Sequence, residues 1–378
     1  MNTQQPRTNR VFRKVLAPAA AEAETNGWQQ VAGHLPVPDL LGRTRLTDRH
    51  LVAYQDVFAG GRCDVLLGDL IAVADRDPAI APRVEALIDA VCDSLLAAVE
   101  ATGRSERLSV CVPGLYTDRI RPGGRIDTWY LGGAGLSIPA SPTGTPLPLT
   151  ELTGYELVVN DLRLRLDLPQ IVLAARAGLR PDSRWNTALT QGDPTEPNIA
   201  DPLCWLDFEY AGRNTLVGEI ANLLWYLLAM GGWLVPTYQP DVYARTLHLH
   251  LPPCTTPHLT HVEHSAHHRH LDMRYTWPAG RGREAAITRL ADRIRTDLAK
   301  AAGLSPDGFL AEIRHFLAVR ILGVFPPARL AAGDLLLLLA KLAEAQDPGT
   351  IGETFTRTDR YQPSNPKDGN DNDHTSAV

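Results

Sequence analysis

The sequence predicts an α+β chain, with a small strand-bearing N-terminal part and a larger, mostly helical remainder. Three patterns carry that expectation. Residues 11 to 16 (VFRKVL) form an apolar, β-branched run that reads as a strand. Residues 18 to 31 follow at once as a helix, with Pro18 near the first turn and alanines dominating 19–23. Further on, Val84, Leu87, Ile88, Val91, Leu95 and Leu96 recur at i, i+3, i+4 spacing, which makes one apolar helix face.

The other elements follow in order. Residues 51–58 read as a buried strand running into a connector, broken by Gly60-Gly61, and 63–103 as helical. Residues 115–130 are turn-rich, with charges and aromatics interleaved; Trp129 and Tyr130 there either pack this segment or face a cationic ligand through their rings. Gly132 to Pro148 is rich in Gly, Pro, Ser and Thr and reads as loop. Residues 155–164 alternate as a strand, 166–177 read as a helix, and 221–235 as a buried helix. Helical periodicity returns over 285–298 and 309–339, broken at Pro326-Pro327, and from about residue 354 the polar composition predicts a disordered tail.

Composition narrows the partners. The 378 residues carry a net charge of −6, with no basic stripe of the kind nucleic acid requires, and the charge suits a cationic small substrate. Five scattered cysteines without a Cys-x-x-Cys pair read as free thiols in a reducing compartment. Residues 1–10 are polar and do not resemble a signal peptide, and the run at 221–235 is about 15 residues, short for a bilayer. The expectation is a cytoplasmic protein with neither membrane nor nucleic-acid partner, and the oligomeric state is open. Only four of 37 basic residues are lysines, and Lys14 is the sole one before Lys300, which hints that a compact ammonium was needed there.

The stretch with chemistry in it is Gln191-Gly192-Asp193-Pro194-Thr195-Glu196-Pro197-Asn198, followed by Cys204-Trp205-Leu206-Asp207-Phe208-Glu209. Gly192 and two prolines exclude a regular helix across 191–198. A short apolar strand (Ile199, then Leu203 to Leu206) separates this loop from Asp207. Loop, strand and a terminal acid can aim two carboxylates and an amide oxygen at one point, a hard-oxygen set that suits Mg²⁺. Asp-x4-Asn with Asp-Phe nine residues on is the spacing of kinase-type phosphoryl transfer.

Together with Trp205 to Gly212 (WLDFEYAG) and Glu219-Ile220-Ala221-Asn222, these motifs resemble the aminoglycoside phosphotransferase and choline kinase-like family. The likeness is specific over about 35 residues and looser from Val11 to about Leu335. It implies a two-lobed protein-kinase-like fold: a reduced nucleotide-binding lobe over 1–58, a catalytic and acceptor-binding lobe over 59–353 with an insertion at about 112–165, and a tail over 354–378. It implies transfer of the γ-phosphate of ATP, with Mg²⁺, to a hydroxyl of a small molecule such as an aminoglycoside or amino alcohol. Asp193 would be the catalytic base, and Asn198 and Asp207 the metal ligands. Lys14 would meet the α- and β-phosphates, fixed by Glu24 (or Glu22), and Gln55, Asp56 and Val57 would form the hinge beside the adenine.

The sequence departs from the family in three places. Gln191 stands for the usual His, Glu219 for the usual Asp that braces the catalytic loop, and residues 1–10 hold no glycine for a phosphate-covering hairpin. The last departure motivates an alternative: a kinase-like protein that binds a ligand with weak or no catalysis. Eight histidines between His248 and His270 could in principle bind zinc, but the segment reads as an irregular, solvated loop without a Cys pair or an i, i+4 frame.

Overall fold

A computed structural model of the chain describes residues 11–111, 115–132, 137–139, 146–247, 249, 256–277 and 280–347. Within them the chain is α+β, with helix predominating and the strands gathered in small sheets.

The first sheet begins with β1 (Val11–Leu16), which is joined through helix α1 (Pro18–Val31) to β2 (Leu40–Arg45) and β3 (His50–Gln55). The order is β1-β3-β2, all antiparallel, with Lys14 opposite Val52. Alternation along β1 puts Phe12, Lys14 and Leu16 on one face, where Lys14 and Leu16 are half-buried and Phe12 is exposed at the cavity, and Val15 on the other, exposed face. The sequence hid β2 because its residues face solvent on both sides and carry no apolar alternation. Gly27 sits mid-helix in α1, where glycine costs about 1 kcal/mol relative to alanine. A Cβ there would lie 2.0 Å from the Phe208 carbonyl oxygen, so the helix backbone rests directly on the backbone after Asp207.

Helices α2 (Leu67–Ala74) and α3 (Ala81–Thr102) follow, and α3 buries Val84, Leu87, Ile88, Val91 and Leu95 as its periodicity requires. Helix Arg281–Arg293 packs along α3 and is tied to it by Arg293, whose guanidinium meets Asp89 and Asp93. The apolar run lies in a continuous helical segment, Leu216–Tyr238, that widens to π turns over Tyr226–Leu234. It is longer than the sequence indicated, and 83% of its most apolar window is buried in the fold, which makes it a core helix. Helix Pro306–Leu322 packs across its first turns.

Several sequence expectations need correcting. Residues 155–164 form two strands, Tyr155–Val159 and Leu162–Leu166, because Asn160 and Asp161 adopt positive φ (48° and 69°) and make a tight turn. The strand expected between the two acidic loops is a hairpin, Ile199–Asp201 with Cys204–Trp205. Ser137–Pro139 pairs with Pro146–Pro148 inside the stretch read as loop. The histidine segment is also no irregular loop: His258–Ser265 and His270–Thr276 pair as a hairpin that joins the 155–166 strands in a four-stranded sheet. Its histidines lie on alternating faces, where His264 meets the Tyr155 hydroxyl and His270 the Glu156 carboxylate. The helix placed at 166–177 spans Leu168–Gly178, with Asp167 capping it by accepting from Gln170 N–H. Strand Arg184–Thr190 leads into the 191–198 loop and carries no alternation that marks it in the sequence. The tail at 354–378 lies outside the described residues.

Tyr130 and Trp129 serve packing. Tyr130 is buried and donates to the Phe325 carbonyl, while Trp129 lies under the Arg125 guanidinium at 5.2 Å.

Candidate active site

Strand β1 and helix α1 bring Lys14 and Glu24 together: Lys14 Nζ donates to Glu24 Oε1 at 2.8 Å. The same ammonium donates to Asp207 Oδ1 at 2.7 Å, across 193 positions of sequence. Glu24 is 1% exposed and takes two further bonds, from the Tyr54 hydroxyl (2.9 Å) and the Phe208 N–H (3.1 Å). Glu22 is exposed on the far side of α1, so Glu24 is the residue that meets the lysine. Asp207 has φ +61°, a left-handed conformation that turns its carboxylate, about half exposed, toward the lysine.

Charge balance in this cluster follows from burial against pairing. Burial alone would lower the Lys14 pKa, but Asp207 and Glu24 outweigh it and hold it above the ordinary value, so the ammonium stays charged. Burial would raise Asp207, yet Lys14 holds its carboxyl below the usual range. For Glu24 burial prevails over Lys14, and its pKa is raised.

A cavity of about 280 Å³ opens beside this cluster. Lys14, Glu24, Asn198 and Asp207 line it, with Gln55, Asp56 and Val57 on the connector side. The connector is already partly committed: Val57 C=O accepts from Arg62 and Cys63 N–H, Gln55 N–H donates to Asp39 C=O, and Asp56 accepts from Phe58 and Ala59 N–H. Two lining residues carried no sequence signal: Arg245, in the last turn of helix Pro240–Thr246, and Leu247, just after it.

Asp193 lies outside this cavity lining, on the loop that leads to it. Gln191 builds that loop: its Oε1 accepts from Asp193 N–H (2.8 Å) while its Nε2 donates to the carbonyls of Leu206 and Asp207. This side chain therefore ties the two acidic loops together. Gly192 has φ +87°, and a Cβ there would fall 1.8 Å from Tyr210 C=O, so no other residue fits. Glu219 accepts from Thr190 Oγ1 (2.6 Å) and Gly192 N–H (3.3 Å) from the start of the core helix. Glu219 thus ties the end of strand Arg184–Thr190 to the turn at Gly192.

Asp193 Oδ1 accepts from Asn222 Nδ2 at 2.6 Å, and Arg320 Nη2 stands 3.7 Å from the same oxygen. Its Oδ2 has no hydrogen bond among the described residues. Asn198 Nδ2 donates to the Asp193 backbone carbonyl (3.0 Å), so its amide is oriented by the loop itself.

These residues fit a magnesium ion by the chemistry of their donors. An amide oxygen and a carboxylate line one cavity, and Mg²⁺ completes its octahedron with waters and phosphate oxygens. Among the described residues no three His, Cys, Asp or Glu side chains cluster to hold a metal alone.

No protein-family model matches the chain, and no curated protein matches it.

Proposed function

We propose that the chain is an ATP-dependent phosphotransferase that moves the γ-phosphate to a hydroxyl of a small molecule, on a two-lobed kinase-like frame divided near residue 58. The observation that carries this reading is the Lys14 ammonium bonded at once to Glu24 and Asp207, at a cavity that Asn198 also lines. A lone cation clasped by two carboxylates from distant segments suits a site that receives phosphates and a metal between them.

In this reading Lys14 meets the nucleotide phosphates and Glu24 keeps its ammonium in place. Asn198 and Asp207 would hold Mg²⁺, which supplies charge neutralisation at the phosphates. Asp193 orients the acceptor hydroxyl and takes its proton on Oδ2, since Oδ1 is engaged by Asn222. Positioning accounts for much of the acceleration in such a loose transfer.

Asp193→Ala tests the assignment: turnover should fall by roughly 10²-fold or more with MgATP affinity kept. Wild-type turnover in that variant would remove Asp193 from the mechanism.

A second reading, ligand binding without catalysis, is favoured by the committed backbone groups of Gln55 and Val57. Calorimetry with MgATP separates the two. Absence of binding selects the second.

A further inference from the structure

Two arginines, Arg119 and Arg320, stand near Asp193, with Glu209 another carboxylate in the same neighbourhood. Arg320, on helix Pro306–Leu322, is 4% exposed, and its only ionic partner among the described residues is Asp193 at 3.7 Å. Its Nε is buried without a hydrogen bond. Arg119, on the short helix Thr117–Ile120, is partly exposed, and its buried Nη1 has no partner either. The two side chains share a face. Tyr116 packs edge-on to Phe316 at 5.0 Å, and one turn further along each helix stand Arg119 and Arg320. The Arg119 stem runs against Gly323, within a turn of Arg320, and Arg125 donates to the Gly323 carbonyl beside it.

Buried guanidinium nitrogens are nearly always paired, because an unpaired one forfeits its hydration without return. Here the pairing is incomplete next to the proposed catalytic carboxylate. Burial, with Arg320 and Arg125 close by, pushes the Arg119 guanidinium down to about 10, so it remains charged near neutrality. Glu219, the next nearest buried acid, is pushed up to about 8 by burial and adds little negative charge.

We infer that the hydroxyl acceptor carries an oxyanion, a carboxylate or a phosphate monoester, which docks on Arg119 and Arg320 and sets its hydroxyl against Asp193. The inference rests on the phosphotransferase reading. It runs against the cationic acceptor that the overall charge of −6 favours, since the two guanidiniums beside Asp193 act on a ligand at closer range than the net charge does. The planar guanidinium suits both oxyanions, and the anion supplies the negative partner that neither guanidinium meets at hydrogen-bond distance among the described residues.

The test uses the full chain and four probes: glycerate, glycerol 3-phosphate, glycerol and choline. Each is titrated by calorimetry without nucleotide, then offered with MgATP while ADP release is followed. At least one of the two anions should bind and be phosphorylated, and which one does so identifies the oxyanion. Arg320→Gln and the more exposed Arg119→Gln should each weaken that anion about 10-fold or more, Arg119→Lys less, with MgATP affinity unchanged. Choline or glycerol binding as tightly as either anion would overturn the inference. Failure of both anions to bind would count against it equally, as would anion binding untouched by both glutamine substitutions. Anion binding that depends on Arg119 in a chain unable to bind MgATP would uphold the anion site and end the phosphotransferase reading.

Discussion

Arg283 and Arg320 are both buried arginines close to the 191–198 loop, and they are partnered in opposite ways. Arg283 Nη1 meets Glu196 Oε1 at 2.6 Å and also donates to the Leu227 carbonyl. Glu196, in the same loop as Asp193, is 2% exposed. That pair is closed, charge for charge, and its work is to pin the loop to the core helix. Arg320 faces Asp193 from 3.7 Å, with an unsatisfied Nε. A closed buried pair resists change, whereas an open one keeps capacity for a ligand.

The comparison can be broken most severely at the closed pair. Arg283→Met leaves Glu196 buried without its cation and should cost about 3–5 kcal/mol in urea unfolding. Arg320→Met should cost less than about 1 kcal/mol, because no carboxylate depends on it in the same way. Equal losses would mean that Arg320 is structural. The double change Glu196→Leu with Arg283→Met should recover most of the stability lost in the single one.

Next in size is a pH effect at the brace beside Asp193. Glu219 has its pKa pushed up to about 8 by burial, against hydrogen bonds from Thr190 and Gly192 and with Asp193 adding to the rise. An unfolded glutamate titrates near 4.3, so between about pH 4 and pH 8 the folded state holds the extra proton. This contribution is fully present below about pH 4 and is lost as pH rises toward 8, by up to roughly 1.4 kcal/mol per unit. Glu219→Gln should flatten that slope, measured by denaturant unfolding at pH 5, 6, 7 and 8. An unchanged slope would place the raised proton elsewhere.

The smallest effect is expected at the opposite end of the site. Tyr54→Phe removes one of the bonds to Glu24 and should cost about 1 kcal/mol, with a few-fold loss of MgATP affinity.

Which parts were legible in the sequence follows from range. Lys14, Glu24, Asp193, Asn198 and Asp207 could be picked out because each sits in a short ordered phrase, and the fold brings Lys14, Glu24 and Asp207 into direct contact. The apolar face of α3 was equally plain, since a 3.6-residue period needs no tertiary knowledge. Arg119 and Arg320 were invisible: 201 positions separate them in a chain full of arginine, and only the packing of two helices pairs them. The histidine hairpin was missed because its first strand is mostly polar and rich in histidine, although the second strand alternates buried Leu271, Met273 and Tyr275 with polar residues; β2 was missed because its residues are solvated. Arg245 reaches the cavity from a segment without any pattern, so composition could not have pointed to it.

The contact at Gly27 has a consequence for control. No room is left for α1 to roll toward the Phe208 carbonyl. Glu24, on the same helix, also accepts from the Phe208 N–H, so helix and segment are keyed by contact and by a bond. A swing of α1 off this seat has to break that bond and draws Glu24 away from Lys14, so the clasp and the segment that carries Asp207 come apart together.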